Sequence, residues 1–252
     1  MDLFDLTGKT AFITGASRGL GAQMARTLSL AGARVILTVR RVDQIEALTS
    51  EFQNSFVLEM DVSNKDSVHR AFERVEQLGE KIDICVNNAG VALLTSIFDS
   101  DDQGDFERVM QTNVMGVWYV TKQVVNHMKN HVIHGSIINI GSVNGDAIPA
   151  IVGASYNASK AAVMHMTKGL VGELSPHKIR INAISPGFFK TDMTKETFET
   201  YGDVLVKKVP LYYEGNLSDM DGAILYLASN KASRYVTGST ITVDGGISWG
   251  GI

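Results

Sequence analysis

The amino-acid sequence predicts an α/β fold: a doubly wound parallel sheet of about seven strands with helices on both faces. Three observations predict it. Apolar, β-branched runs of about five residues recur along the chain, too short for most helices and without the alternation of a half-exposed strand. Longer segments of helical period separate them, as crossovers between parallel strands require. A glycine-rich turn, TGASRGLG, follows the first run directly.

In chain order, TAFITG leads into the helical segment GLGAQMARTLSLAG, ARVILTV into VDQIEALTSEF, and FVLEMDV into KDSVHRAFERVEQLG. Asp43 and Glu46 are spaced as a capping box that would start the second of these helices. IDICVNNAG then gives way to a long helical stretch around FERVMQTNVMGVWYVTKQVVNHM, and GSIINIGS to ASKAAVMHMTKGLVGEL. IRINAISPG and STITVDGG complete the strands. No repeat, low-complexity tract or linker interrupts the series, which predicts one domain over residues 1–252. Residues 186–217, beginning PGFFKTDM, break the alternation after the sixth strand. An insertion there would overhang the carboxyl edge of the sheet, so a substrate lid is expected. The alternative is a surface loop carrying one structural helix.

Bulk properties narrow the function classes. A net charge of −4 argues against generic nucleic-acid binding. No apolar run approaches the roughly 18 residues that span a bilayer, so no membrane partner is expected. MDLFDLTGK offers neither a basic leader nor an apolar core, so the cytoplasm is the expected location. The single cysteine, Cys85, excludes an internal disulfide. Within IDICV it reads as a buried small side chain rather than a reactive thiol.

The glycine loop carries the first chemistry. Gly15, Gly19 and Gly21 would let the chain turn tightly and bring backbone N–H groups close to a pyrophosphate. A helix starting near Gly19 would add its positive end. With a strand before and a helix after, the loop predicts a Rossmann-type dinucleotide site. The end of the second strand should choose the dinucleotide. An acid there would bind ribose hydroxyls and repel a phosphate, but the sequence reads LTVRR, with Val39 followed by Arg40 and Arg41. Arg18, inside the glycine loop, could reach the same place. Guanidinium groups pair with phosphate in planar, bidentate fashion, so NADP is expected over NAD.

SYNASK, Ser155 to Lys160, places Tyr156 and Lys160 one helical turn apart. A phenol titrates near ~10, too high for ready proton exchange at neutral pH. A neighbouring ammonium would lower that value, as an acid/base tyrosine needs. The spacing alone is common by chance, and its meaning depends on context.

Together these pieces resemble the classical branch of the short-chain dehydrogenase/reductase family over nearly the whole chain. The resemblance rests on TGASRGLG, Asp61 in MDV, NNAG at 87–90, Asn113, Ser142, the Tyr156/Lys160 pair, Pro186–Gly187 with Thr191, and VDGG at 243–246. It implies a catalytic set of Asn113, Ser142, Tyr156 and Lys160. Ser142 would hold the substrate oxygen, and Tyr156 would act as general acid in reduction and as base in reverse. Lys160 would hold the nicotinamide ribose, and Asn113 would help hold a water connecting Lys160 to solvent. The cofactor would meet Gly15, Ser17, Arg18, Gly19, Leu20, Gly21 and Arg40, with Asp61 and Val62 at the adenine and Tyr156 beside Lys160 also in contact with it. Asn88, Ala89 and Gly90 would line the groove. Pro186, Gly187 and Phe189 would lie near the nicotinamide, and Thr191 near the diphosphate.

Two departures from the family pattern concern substrate. Ser142 and Tyr156 stand fourteen positions apart, one more than is usual in that branch, with the extra residue in NGDAIPAIVGAS. PLYYEGNLSDMD places Tyr212 and Tyr213 where many bacterial members have a Pro-Leu-Gly-Arg-like turn. These aromatics would touch substrate or a neighbouring subunit, or fill a surface groove. Lys190, Lys195, Lys207 and Lys208 around the lid read as a solvated face, with an anionic substrate or carrier as the alternative. His127, His131 and His134 have metal-like spacing, but no acidic or thiol partner is evident nearby, so no metal is expected.

The resemblance implies an NAD(P)H-dependent oxidoreductase that reduces a ketone or aldehyde, or oxidises the alcohol, as a homotetramer. It favours a 3-oxoacyl-type substrate; LFDLTGKTAFITG also resembles gluconate dehydrogenases, which gives a sugar-acid alternative. A non-catalytic dinucleotide sensor is the alternative from another class, and the complete catalytic set argues against it.

Overall fold

The apolar runs become seven parallel strands: β1 (Thr10–Thr14), β2 (Arg34–Val39), β3 (Ser55–Glu59), β4 (Ile84–Asn87), β5 (Ser136–Ile140), β6 (Arg180–Pro186) and β7 (Thr240–Val243). This computed structural model describes residues 2–41, 51–52, 55–93, 96–98, 104–146 and 153–249, without the side chains of 196–198, 201 and 203. The capping box at Asp43 and Glu46 lies outside the described residues, as does much of NGDAIPAIVGAS.

The strand order is β3-β2-β1-β4-β5-β6-β7. The chain runs outward to β3 and then returns beside β1, so the direction of winding reverses between β1 and β4. In open parallel sheets the crevice at the carboxyl ends of such strands is where ligands bind. Every residue of β1, β4, β5 and β6 is buried, which is why their sequences show no alternation.

Two hydrophobic layers flank the sheet. On one face Ile13, Leu37, Ile138 and Ile184 pack under α1 (Gly19–Leu30) and α8 (Asp221–Ala228). On the other, Phe12, Ile36 and Ile137 pack under α2 (Lys65–Gln77) and α4 (Gly116–Asn130). The start of α2 is fixed by Asn64, whose side-chain oxygen accepts the N–H groups of Asp66 and Ser67 at 3.0 and 3.0 Å.

The second face also carries a buried polar seam. Asn87 and Asn139 are register partners on β4 and β5. Asn87 donates to Asn139 at 2.8 Å and to Thr121 of α4 at 3.0 Å. Asn139 in turn donates at 2.9 Å to Thr167 of α5 (Ala154–Gly169), which the short α6 (Val171–Leu174) follows. Buried amides need partners, so the seam fixes both helices against the sheet in one register. The same two helices flank the candidate site.

The long stretch from Asp105 is helical but not uniform. α3 (Asp105–Met110) passes through a π-turn at Gln111–Met115, which contains Asn113, before continuing as α4. At its far end α4 closes with the N–H of Val132 bonded to Lys129 and that of Ile133 to Met128, at 3.2 and 2.8 Å. This Schellman ending puts Val132 at φ 54°, in the left-handed region that disfavours β-branched residues. Val132 is exposed. Val132→Gly is therefore expected to raise stability by about 1 kcal/mol, visible as a rise of roughly 2–4 °C in the thermal midpoint.

His127 and His131 do have an acidic partner, contrary to the sequence-based expectation. Glu76, at the end of α2, meets His127 Nδ1 at 2.6 Å and His131 Nε2 at 2.9 Å. The three ligand-type atoms lie within 4.8 Å of one another. The backbone N–H of Ile82 donates to His127 Nε2 at 3.1 Å, so the neutral ring carries its proton on Nδ1 and gives it to Glu76. A metal at Nδ1 would need that proton gone and Nε2 protonated against Ile82, so the cluster is arranged as a hydrogen-bonded clamp between α2 and α4. Burial holds the His127 imidazole below its ordinary pKa, against the pull of Glu76. His134 is not part of the cluster.

Candidate active site

The groove at the switch point has a volume of about 1000 Å³ and is built on the glycine loop, the ends of β2 and β4, and the loop after β3. Its floor is set by backbone closeness. A Cβ on Gly15 would lie 2.8 Å from Ala89 Cα, and one on Gly21 would lie 2.2 Å from the Gly15 carbonyl oxygen. Both contacts are far inside van der Waals distance, and Gly15 also has φ 64°. Helix α1 begins at Gly19 and directs its free N–H groups into this groove.

One side chain left unassigned by the sequence reading organises the floor. The hydroxyl of Thr14, the last residue of β1, accepts the N–H groups of both Asn88 and Ala89 at 3.0 Å. Asn88 reciprocates with its amide, donating to the carbonyls of Thr14 and Gly15 at 3.0 Å each. The two strand ends on either side of the crevice are thus bolted together. Thr14 was visible as the first letter of TGASRGLG; what was not visible was a contact some seventy residues away.

The groove brings together Gly15, Ser17, Arg18, Gly19, Leu20, Gly21, Arg40, Asp61, Val62, Asn88, Ala89, Gly90 and Thr191. Met60, Val91 and Thr112 also line it without having been singled out, and Met193 joins them from the 186–217 segment. Asp61 is held in its own turn, accepting the N–H and hydroxyl of Ser63 at 2.9 and 2.7 Å. Arg40 stands exposed at the groove, beside Val39 and Arg41. Arg18 lines the same groove, and its exposed guanidinium pairs at 3.4 Å with Asp192 on the other rim.

Pro186, Gly187 and Phe189 do not line this groove. Gly187 donates its N–H to Val243 at 2.9 Å, which joins the end of β6 to the VDGG turn after β7. The Phe189 ring is buried against Gly215, bridging the two ends of the 186–217 segment. Within that segment Thr194 anchors the start of α7 (Lys195–Lys208) by donating to Phe189 O at 2.6 Å and accepting the Thr191 N–H at 2.9 Å. Tyr212 and Tyr213 are exposed, so neither fills a surface groove. Lys190, Lys207 and Lys208 are exposed, and Lys195 faces Glu199 at 3.8 Å.

Beyond β5 the structure brings the remaining candidates together. Ser142, two residues past the end of the strand, hydrogen-bonds the Tyr156 phenol, while its oxygen also accepts the Asn144 N–H at 3.2 Å. Tyr156 and Lys160 rise from one face of α5, with the Lys160 ammonium 5.7 Å from the centre of the Tyr156 ring. Lys160 is buried and donates to the Ile140 carbonyl at 2.9 Å. Burial lowers its pKa to about 8. Burial pushes the Tyr156 phenol up, and the hydrogen bond with Ser142 works against that rise. The spacing had suggested a phenol lowered by its lysine neighbour. In this geometry the contact that opposes the rise is the serine.

The Asn113 amide is buried. Its oxygen accepts the Val91 N–H at 2.8 Å, and its nitrogen donates to Val91 O and to Ser159 Oγ at 2.9 and 3.0 Å. Cys85 is buried, and its thiol is pushed up by that burial. Among the described residues no helix is long and apolar enough to cross a membrane.

A doubly wound sheet with a glycine cradle at its switch point, beside a serine–tyrosine–lysine group, defines a dinucleotide-dependent oxidoreductase. Residues 15–248 match a family model described as enoyl-(acyl carrier protein) reductase. The chain is 36% identical to gluconate 5-dehydrogenase of Gluconobacter oxydans, covering 98% of this chain and 97% of that one. It is also 36% identical to a 3-oxoacyl-[acyl-carrier-protein] reductase of Rickettsia prowazekii, covering 97% and 99%. The crystal structure of a gluconate 5-dehydrogenase from Burkholderia cenocepacia, in complex with NADP and tartrate, superposes with a TM-score of 0.92 at 34% identity, over 98% of this chain and 97% of that one. The protein belongs to the short-chain dehydrogenase/reductase family and is an oxidoreductase of that family.

Proposed function

We propose that the protein is an NADPH-dependent reductase of a ketone or aldehyde, with Tyr156 as general acid, Ser142 as holder of the carbonyl oxygen, and Lys160 and Asn113 as their support. The observation that carries this reading is the Ser142–Tyr156 hydroxyl pair at the carboxyl edge of the sheet, next to a groove that only glycines at 15 and 21 leave open. That cradle fits a dinucleotide pyrophosphate, with Gly19, Leu20 and Thr191 around it. When bound, the cofactor supplies the hydride. A carbonyl oxygen gaining negative charge needs donors set in place beforehand, and two adjacent hydroxyls meet that need. The tyrosine proton is the one to be transferred. Residues 186–217, which follow directly from the end of β6 and carry α7, serve as the lid of one domain spanning 1–252.

Arg40 supports the choice of NADPH: it stands exposed at the end of β2 where an acid would repel a phosphate, and a structural relative was crystallised with NADP. Arg18, exposed in the same groove and paired with Asp192 through one nitrogen, has donors left to join it. Arg40→Ala is expected to weaken NADPH binding about tenfold to a hundredfold, leaving NADH binding within twofold. Fluorescence titration with both coenzymes checks this; equal losses for the two would remove Arg40 from phosphate recognition.

For the substrate we favour a 3-oxoacyl-type carbonyl. The sugar-acid reading has direct support in the equal identity to a gluconate 5-dehydrogenase and a 3-oxoacyl reductase. NADPH oxidation against oxoacyl thioesters, keto sugar acids and aromatic aldehydes, with NADH alongside, tests all of these. Turnover of none would return the reading to a dinucleotide sensor. A cytoplasmic homotetramer belongs to the same proposal. The valines of α4 pack on the sheet, but Met115 and Trp118, one turn apart, remain partly exposed as a surface a neighbour could cover. Light scattering reads the oligomeric state.

A further inference from the structure

We infer that Ser159 is a positioning residue, one that sets the Tyr156–Lys160 turn at a fixed distance from Asn113 and from the groove wall at Gly90–Val91. The inference rests on the proposed reductase reading and adds a residue that reading does not use.

Ser159 is fully buried between Tyr156 and Lys160 in sequence. Its hydroxyl donates to the Tyr156 carbonyl at 2.8 Å. Its one proton is thereby spent, so toward Asn113 the oxygen can only accept, and the Asn113 amide nitrogen donates to it at 3.0 Å. The second proton of that nitrogen goes to Val91 O at 2.9 Å, and the amide oxygen accepts the Val91 N–H at 2.8 Å. Both protons of the amide nitrogen are therefore committed. The result is a directional chain from the Val91 backbone, through Asn113 and Ser159, to the carbonyl of the tyrosine. It joins three separate pieces: the loop after β4, the π-turn at Gln111–Met115, and the first turns of α5.

The space around this chain has little slack. A Cβ on Gly90 would lie 3.1 Å from the Asn113 amide oxygen and 3.7 Å from the Lys160 ammonium. A shift of α5 against the π-turn would therefore move Lys160 and Tyr156 relative to the groove wall. Packing alone tolerates small slides between helices, whereas a satisfied buried polar chain admits one register. An alanine at 159 keeps the helix and removes the link.

The test is steady-state reduction of ethyl acetoacetate, a 3-oxo ester, by NADPH with the parent, Ser159→Ala, Asn113→Ala and the double variant. For Ser159→Ala the expected result is a kcat about tenfold below the parent with KM for NADPH within twofold, because the cradle is untouched. In the Asn113→Ala background the same change should cost little further, since the link is already broken. Ser159→Cys, which keeps the volume and weakens both bonds, is read by the same criteria if circular dichroism shows the alanine variant unfolded. Parent-like kcat in the serine variant, or a loss that adds in full to that of Asn113→Ala, would overturn the inference while the reductase reading stands. A parent that turns over neither this ester nor the wider carbonyl panel would overturn that reading, and the inference with it.

Discussion

Tyr156→Phe is expected to bind NADPH as the parent does and to lose between about a hundredfold and ten-thousandfold in turnover, the range a positioned general acid contributes. Removing one oxygen from a ring that otherwise keeps its place alters no part of the glycine cradle, so coenzyme affinity measured by fluorescence should stay within twofold. Loss of turnover with retained binding isolates the proton transfer. The variant also leaves Ser142 without its phenol partner, which weakens the hold on the carbonyl oxygen as well. The direction of the phenol's shift makes the prediction directional. Burial pushes Tyr156 up, so at neutral pH it carries its proton, which is the form that reduction needs. Alcohol oxidation needs the phenolate, and its rate in the parent should climb with pH well above neutrality, while reduction should not. A phenylalanine variant that keeps parent-like reduction would remove Tyr156 from the chemistry.

The fold was legible because parallel strands announce themselves. A strand buried on both faces must be apolar throughout, and Phe12, Ile36, Cys85 and Ile137 lie in such runs. The glycine loop was legible for a related reason: where two backbones approach as Gly15 and Ala89 do, no other residue fits. Tyr156 and Lys160 could be paired because helix geometry alone puts them on one face. Contacts between elements were not legible. Glu76 meets His127 only because α2 and α4 pack side by side, and nothing in the period of either helix records their relative height. Arg18 could be placed in the glycine loop, but its pairing with Asp192 depends on how the 186–217 segment folds back. The π-turn at Gln111–Met115 is a change of hydrogen-bond register inside a helix, which side-chain type alone does not record. Ser159 sat in plain view within SYNASK, yet its role needs the position of Asn113, forty-six residues earlier.

Lys160→Met should produce a protein that is more stable and nearly inactive. Lys160 is buried, with a pKa lowered from 10.5 to about 8 by that burial. An unfolded chain therefore holds this proton more tightly than the native one, and below pH 8 the native state carries the full penalty of a desolvated ammonium, roughly 3 kcal/mol. Methionine has a similar length and shape and no charge to bury. Against the gain stands the donor lost to the Ile140 carbonyl, worth about 1 kcal/mol. The net expectation at pH 7 and without coenzyme is a gain of about 2 kcal/mol, or roughly 5 °C in the thermal midpoint. Between pH 8 and 10.5 the parent sheds its proton and regains stability, so the gap between the two proteins should narrow across that window. Turnover should fall most below about pH 8, where the parent carries a cation beside the tyrosine and the variant carries none. A methionine variant less stable than the parent at pH 7 would mean that the ammonium is better solvated in the native protein than its burial implies. One with full activity would mean that the tyrosine works without it. Stability alone would favour an apolar side chain at this position, so a buried cation here supports the proposed role of Lys160.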